Sequence, residues 1–160
     1  MSSLRSADAP RLVFATGNAH KVAELEAIIA PLLPEGAGRI ARMSDFDVVE
    51  PVEDGATFAE NSLIKARSLC AATGIAALAD DSGLCVDIMG GAPGIFSARW
   101  SGAHGNDQAN LELLLAQLSD VPLHLRGAAF VSAAALVLPD GREFVELGRV
   151  EGHLTTAPQG

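Results

Sequence analysis

Only two cysteines, Cys70 and Cys85, occur in the 160 residues, and neither has a Cys or His neighbour at zinc-ligand spacing. That excludes a disulfide framework and a structural zinc site, and it points to a reducing, cytoplasmic setting. Basic residues are also scarce: 11 Lys and Arg stand against 20 Asp and Glu, a formal net charge of −9. A surface of that sign repels nucleic-acid phosphates, although a local cluster can still hold a small phosphate ligand. No long apolar run exists either. The longest, residues 128–138, falls far short of the ~20 residues a membrane-spanning helix needs. The first ten residues are small and polar with no apolar segment, so they are neither signal peptide nor anchor and read as a flexible leader. The four histidines are scattered and no serine sits in a nucleophile-elbow pattern, which leaves triad hydrolysis unsupported.

What is present is enough apolar content, 49% of positions, to build one core. A single domain over residues 11–160 is expected. Leu12-Val13-Phe14-Ala15 reads as a short buried strand running into the turn Thr16-Gly17-Asn18. A helix should follow, with Val22, Leu25, Ile28, Ile29, Leu32 and Leu33 on one apolar face and Pro31 and Pro34 ending it. Residues 33–56 mix Gly, Pro and acids with short apolar pairs such as Val48-Val49 and suggest loop with one edge strand. Thr57-Phe58-Ala59-Glu60 has the form of a capping box, opening a helix that runs to about Thr73 and closes at Gly74. Residues 76–79 predict a strand that Asp80-Asp81-Ser82-Gly83 interrupts, with strand character resuming over 84–89. The glycines and proline of 90–94 require an irregular loop. Asn106 or Asp107 should cap a further helix with Leu111, Leu114, Leu115 and Leu118 as its buried stripe. Residues 128–138 and 143–154 about Pro139-Asp140-Gly141 predict a long β-hairpin. Interleaved strands and helices predict an α/β fold: a mixed β-sheet flanked by helices, with an active site in a central cleft.

Four segments carry residue types suited to chemistry. Thr16-Gly17-Asn18-Ala19-His20-Lys21 places a glycine, free helix-start amides and a lysine at a strand-to-helix junction. That is a plausible phosphate seat, or an ordinary capped loop with a solvated lysine; it matches neither the P-loop nor the dinucleotide fingerprint. Asp80 and Asp81 put two carboxylates side by side, which repel unless a cation such as Mg²⁺ or solvent separates them; an acidic turn is the alternative. Glu53 and Asp54 lie in an acidic loop, while Asn61 and Lys65 share a helix face at four-residue spacing. Finally, Pro93-Gly94-Ile95-Phe96-Ser97-Ala98-Arg99 delivers an arginine able to clamp phosphate or to pair with a surface acid.

Together these segments closely resemble the inosine/xanthosine triphosphate pyrophosphatase family. The resemblance runs from about Leu12 to Gly160 and rests on Ala15-Thr16-Gly17-Asn18 with Lys21, on residues 57–67, on Ala79-Asp80-Asp81-Ser82-Gly83-Leu84, and on residues 90–99. It implies Mg²⁺-dependent hydrolysis of ITP, dITP or XTP to the monophosphate and pyrophosphate, cleansing the nucleotide pool, in a homodimer. On the matching positions it implies that Thr16, Gly17, Asn18, Ala19, His20 and Lys21 hold the triphosphate, that Glu53 and Asp81 bind metal, and that Asp81 also accepts the proton. Ser82 would touch substrate and Lys65 a phosphate, with Asp80, Asn61 and Arg99 in support. The family continues past a Pro-x-Gly like Pro158-Gln159-Gly160 into a Phe-Gly-Tyr-Asp segment, a further lysine and a Ser-His-Arg stretch that hold base and phosphates. The expectation is therefore a C-terminally incomplete domain, with a catalytically impaired, nucleotide-binding or dimerising remnant as the alternative reading.

Overall fold

The computed structural model describes residues 10–29, 31–32 and 40–159. Its elements are β1 (Leu12–Phe14), α1 (Ala19–Ile29), β2 (Ile40–Arg42), α2 (Phe58–Thr73), β3 (Ala76–Val86), α3 (Asp107–Gln117), β4 (Gly127–Val137) and β5 (Glu143–His153). One sheet contains all five strands in the order β2-β1-β3-β4-β5. β1 pairs in parallel with β2, Leu12 opposite Ile40, and with β3, Leu12 opposite Ala76. β4 and β5 form the long hairpin: Leu138 N–H donates to Arg142 O and Leu154 N–H to Arg126 O, both at 2.9 Å, and each pair is equidistant from Asp140. The sheet is mixed, as expected, with helices flanking it.

The chain packs as two compact units. The first comprises the chain up to Gly55, Ala59–Asp80 and Ala134–Glu146; the second comprises Ala56–Phe58, Asp81–Ala133 and everything from Leu147 onward. The first unit is built around small residues. Ala66 on α2 and Ala77, Ala79 and Ala135 on the strands are fully buried beside Val13 and Leu69, so small side chains make up much of the close-packed layer. α2 buries Ser62, Ala66, Leu69 and Cys70 at three- and four-residue intervals and ends where Gly74, at φ 68°, donates its N–H to Cys70 O at 2.8 Å. The second unit centres on Val86, Leu114, Leu118 and Ala128. There Arg126, 2% exposed, donates from Nε to Val121 O at 2.8 Å, from Nη1 to Thr155 O at 3.1 Å and from Nη2 to Leu118 O. Its charge is solvated by three carbonyls in place of a carboxylate.

Several expectations fail in instructive ways. β3 is one unbroken strand through Asp80-Asp81-Ser82-Gly83, and it stops at Val86, where Asp87–Met89 turns as a 3-10 helix. A strand tolerates the two acids because successive side chains leave on opposite faces, and Asp80 is neutralised by a lysine from another element. The edge strand expected within residues 33–56 is found at Ile40–Arg42, while the apolar pair Val48-Val49 lies outside any strand with Val49 90% exposed. The apolar face of α1 is narrower than its pattern: Val22 is its buried residue while Ile28 and Leu32 are exposed. Leu33 and Pro34 lie outside the described residues, as do residues 1–9 of the expected leader. In α3, capped by Asn106 Oδ1 accepting from Ala109 N–H at 3.1 Å, Leu114 and the following Leu118 are buried, while Leu111 points to solvent. Asn110 takes the inward place expected of an apolar side chain.

Candidate active site

In the first unit, the loop between β1 and α1 is organised by its own side chains. Thr16 Oγ1 accepts from Asn18 N–H at 3.1 Å, and Asn18 Oδ1 accepts from His20 N–H at 2.9 Å and Lys21 N–H at 3.4 Å. Asn18 thus caps α1 and occupies amides that the sequence suggested for phosphate. Lys21 supplies the cation one turn into the helix. Its Nζ lies 2.6 Å from Asp80 Oδ2 at the middle of β3, a part-buried pair. An ammonium has three donors and this pair uses one. A side chain at Gly17 would meet open space, and Ala19 and His20 form the exposed first residues of α1.

The acidic loop is held by α2. Asn61, 2% exposed, accepts Gly55 N–H on Oδ1 at 2.9 Å, and a side chain on Gly55 would collide with that same oxygen at 2.7 Å. One turn further along α2, Lys65 Nζ reaches Glu53 Oε2 at 3.4 Å. The four-residue spacing therefore does bring Asn61 and Lys65 to one stretch of loop, Asn61 gripping its backbone and Lys65 its carboxylate.

In the second unit, Asp81 Oδ1 accepts Ser82 N–H at 3.1 Å. Gly83 follows, buried, with Gly94 O, Ser97 Oγ and a Phe58 ring carbon standing where a side chain would be. Ser97 Oγ accepts Leu84 N–H at 2.9 Å and donates to Gly94 O at 2.6 Å. Arg99 ends the 3-10 helix Gly94–Arg99 with its guanidinium 5.3 Å from the centre of the Phe96 ring, within cation–π range of that aromatic face. Asn110 fixes the same turn, accepting from Ser101 N–H at 2.7 Å and donating to Ala98 O at 3.1 Å. Gly83, Ser97 and Asn110 carried no sequence signal of their own: a serine in a glycine-rich loop and an asparagine on a helix become informative only through their partners.

Both cysteines are free, and burial pushes each thiol above its ordinary range, the opposite of an activated nucleophile. Glu53 and Asp81 offer carboxylate oxygens, the hard donors that magnesium takes. Among the described residues no three His, Cys, Asp or Glu side chains converge into a closed protein cage. One or two carboxylates, completed by water and substrate phosphates, is the donor set magnesium commonly uses, and each of these two carboxylates is a donor of that type.

A family model described as the Ham1 family matches residues 12–160. The chain belongs to the Ham1 family. Among Ham1-family relatives, it is 57% identical over 152 residues to the dITP/XTP pyrophosphatase of Streptomyces avermitilis, covering 94% of this chain and 74% of that protein. It is 55% identical over 154 residues to the dITP/XTP pyrophosphatase of Streptomyces coelicolor, with the same two shares. Its fold matches the crystal structure of the nucleoside-triphosphatase / dITP/XTP pyrophosphatase of Mycobacterium abscessus with TM-score 0.80 at 48% identity, over 93% of this chain and 76% of that one. The HAM1 protein of Coxiella burnetii matches with TM-score 0.82 at 33% identity, over 94% and 76%. The α/β architecture is that of Ham1 proteins.

Proposed function

We propose that this Ham1-family chain is a nucleoside triphosphate pyrophosphatase that hydrolyses ITP, dITP and XTP to the monophosphate and pyrophosphate. The observation that carries the reading is the pairing of each candidate lysine with a carboxylate, Lys21 with Asp80 and Lys65 with Glu53, on a chain 57% identical to a dITP/XTP pyrophosphatase. Cleaving between the α- and β-phosphates develops charge on phosphoryl oxygens and requires an oriented, deprotonated water. Lys21 and Lys65 bind the triphosphate, exchanging part of their carboxylate pairing for phosphate. Asp81 accepts the proton of the attacking water, with Ser82 beside it contacting substrate, and Asp80 keeps Lys21 in place. Glu53 and Asp81 would hold Mg²⁺, which when bound neutralises phosphoryl charge and lowers the pKa of water. Asn61 keeps the Glu53 loop on α2, and Arg99 supports the phosphates.

The working assembly is a homodimer in a reducing cytoplasm, a reading that follows the family resemblance and the two free cysteines; sedimentation velocity tests the stoichiometry. The test of function is pyrophosphate release from ITP, dITP and XTP against ATP and dUTP, with Mg²⁺ and with EDTA, alongside calorimetric titration of ITP. Turnover of the first three that EDTA abolishes is the expected result. Tight ITP binding without pyrophosphate release would overturn it in favour of a binding protein.

A further inference from the structure

The 84–97 stretch is a local structure in its own right within the second unit. Val86 N–H donates to Ala92 O at 2.9 Å and Gly91 N–H to Val86 O at 3.0 Å, and Cys85 bridges Pro93 in antiparallel fashion. The loop after β3 therefore folds back along the last residues of β3. At Leu84 that backbone pairing is replaced by a side chain: the Leu84 N–H goes to Ser97 Oγ at 2.9 Å, while the same hydroxyl donates to Gly94 O at 2.6 Å. Gly83 makes this possible, since any β-carbon there would strike Gly94 O and would stand 2.6 Å from Ser97 Oγ. The hydroxyl is thus a cross-brace from the loop to the strand, two residues from Ser82 and three from Asp81.

We propose that Ser97 is a positioning residue for hydrolysis, its hydroxyl fixing the strand segment that carries Asp81 and Ser82. The proposal rests on the reading of Asp81 as the proton acceptor. A side chain at Asp81 is aimed in part by the φ and ψ of its own strand, and the Leu84 amide is one of the points that pin that strand in this unit, beside its pairing with β4. A strand segment whose amide loses its acceptor can shift, and a displacement near 1 Å at the reacting group costs up to about 100-fold in rate. Gly83 and Ser97 act as one device, because the close approach that the glycine permits is what brings the hydroxyl within bonding range.

The test compares Ser97→Ala, Ser97→Thr and Gly83→Ala, with Leu118→Ala as a control for general loosening of the second unit, Leu118 being 1% exposed in its core. For each folded variant, kcat and KM for ITP and the hydrogen-exchange protection of the Leu84 amide are measured. Ser97→Ala should lower kcat about 10- to 100-fold with KM changed less than about two-fold, and should strip protection from Leu84. Ser97→Thr, which keeps the hydroxyl, should recover most of both. Gly83→Ala should reproduce the kcat loss by displacing the brace, and it serves if Ser97→Ala does not fold. Leu118→Ala should lower the melting temperature and leave kcat alone. Wild-type kcat in Ser97→Ala, or equal losses in Ser97→Ala and Ser97→Thr, would overturn the proposal. Asp81→Asn separates the two layers: wild-type turnover there defeats the underlying reading, whereas an inactive Asp81→Asn beside a fully active Ser97→Ala defeats only the brace.

Discussion

The two compact units hold their candidate site residues by different physics. In the first, each functional charge stands against an opposite one: Lys21 with Asp80 at 2.6 Å, Lys65 with Glu53 at 3.4 Å. In the second, a glycine that admits close neighbours and a hydroxyl that pins Leu84 brace the backbone that carries Asp81 and Ser82. Charge pairs are adjustable. Each side chain can exchange its partner for a phosphate or an ion at modest cost, because such partly exposed pairs contribute little net stability. Backbone bracing allows no such exchange and suits a group that must keep its aim. On the function proposed above, the first set binds the triphosphate and the second transfers the proton.

The largest effect should come from the braced side. Asp81→Ala should reduce pyrophosphate release from ITP by at least about 1,000-fold while circular dichroism stays that of the wild type, since the general base is lost and the fold is not. Near-normal release would erase the contrast. On the adjustable side, Lys21→Ala should raise KM for ITP about 10-fold, the worth of one charge-assisted hydrogen bond, with a smaller change in kcat; an unchanged KM would remove Lys21 from triphosphate binding. Asn61→Ala tests whether the paired side also needs its loop held. It strands the Gly55 amide and should lower stability by about 1–3 kcal/mol in urea denaturation, and steady-state kinetics should show the Mg²⁺ requirement rising as Glu53 is released.

The smallest effect concerns a pair that serves no site. Arg67 Nε donates to Glu143 Oε1 at 2.7 Å and Nη2 to Oε2 at 2.8 Å, joining α2 to β5. That fork of hydrogen bonds holds the Glu143 carboxyl below its ordinary range. A carboxyl whose folded-state pKa is depressed adds stability that is complete above its unfolded pKa, about 4.3, and disappears as pH falls through the folded value. The melting temperature of Glu143→Gln should therefore sit slightly below wild type at pH 7 and converge with it in acid. A constant gap from pH 7 to pH 3 would show that the pair is solvated away.

How far the sequence carried depends on where each element's partners lie. α2 was legible to within a residue because its start and stop signals, Thr57-Phe58-Ala59-Glu60 and Gly74, are local. The hairpin was legible for the same reason, Pro139-Asp140-Gly141 sitting between two apolar runs. β3 was not, because what makes Asp80 acceptable inside a strand is Lys21, 59 positions away. β2 was legible as an edge strand somewhere in residues 33–56 but not in its place, since Ile40-Ala41-Arg42 is too short to show alternation. At the site, the Asn61 and Lys65 face followed from spacing alone. The grip of Asn61 on Gly55 and the brace of Ser97 did not, because a hydroxyl or amide side chain announces nothing until its acceptor or donor is placed.

The outermost strand of the sheet has a practical side. β5 is exposed along nearly all of its eleven residues, with Phe144, Leu147 and Val150 each more than half uncovered. Among the described residues its only sheet neighbour is β4, and such a rim invites other chains to add on. What discourages them is the interspersed Glu146, Arg149 and Glu151. These are ordinary surface charges whose reach shrinks to about 3 Å in molar salt. Added salt therefore weakens the protection of this ribbon, and concentrated stocks of the protein belong in low-salt, near-neutral buffer.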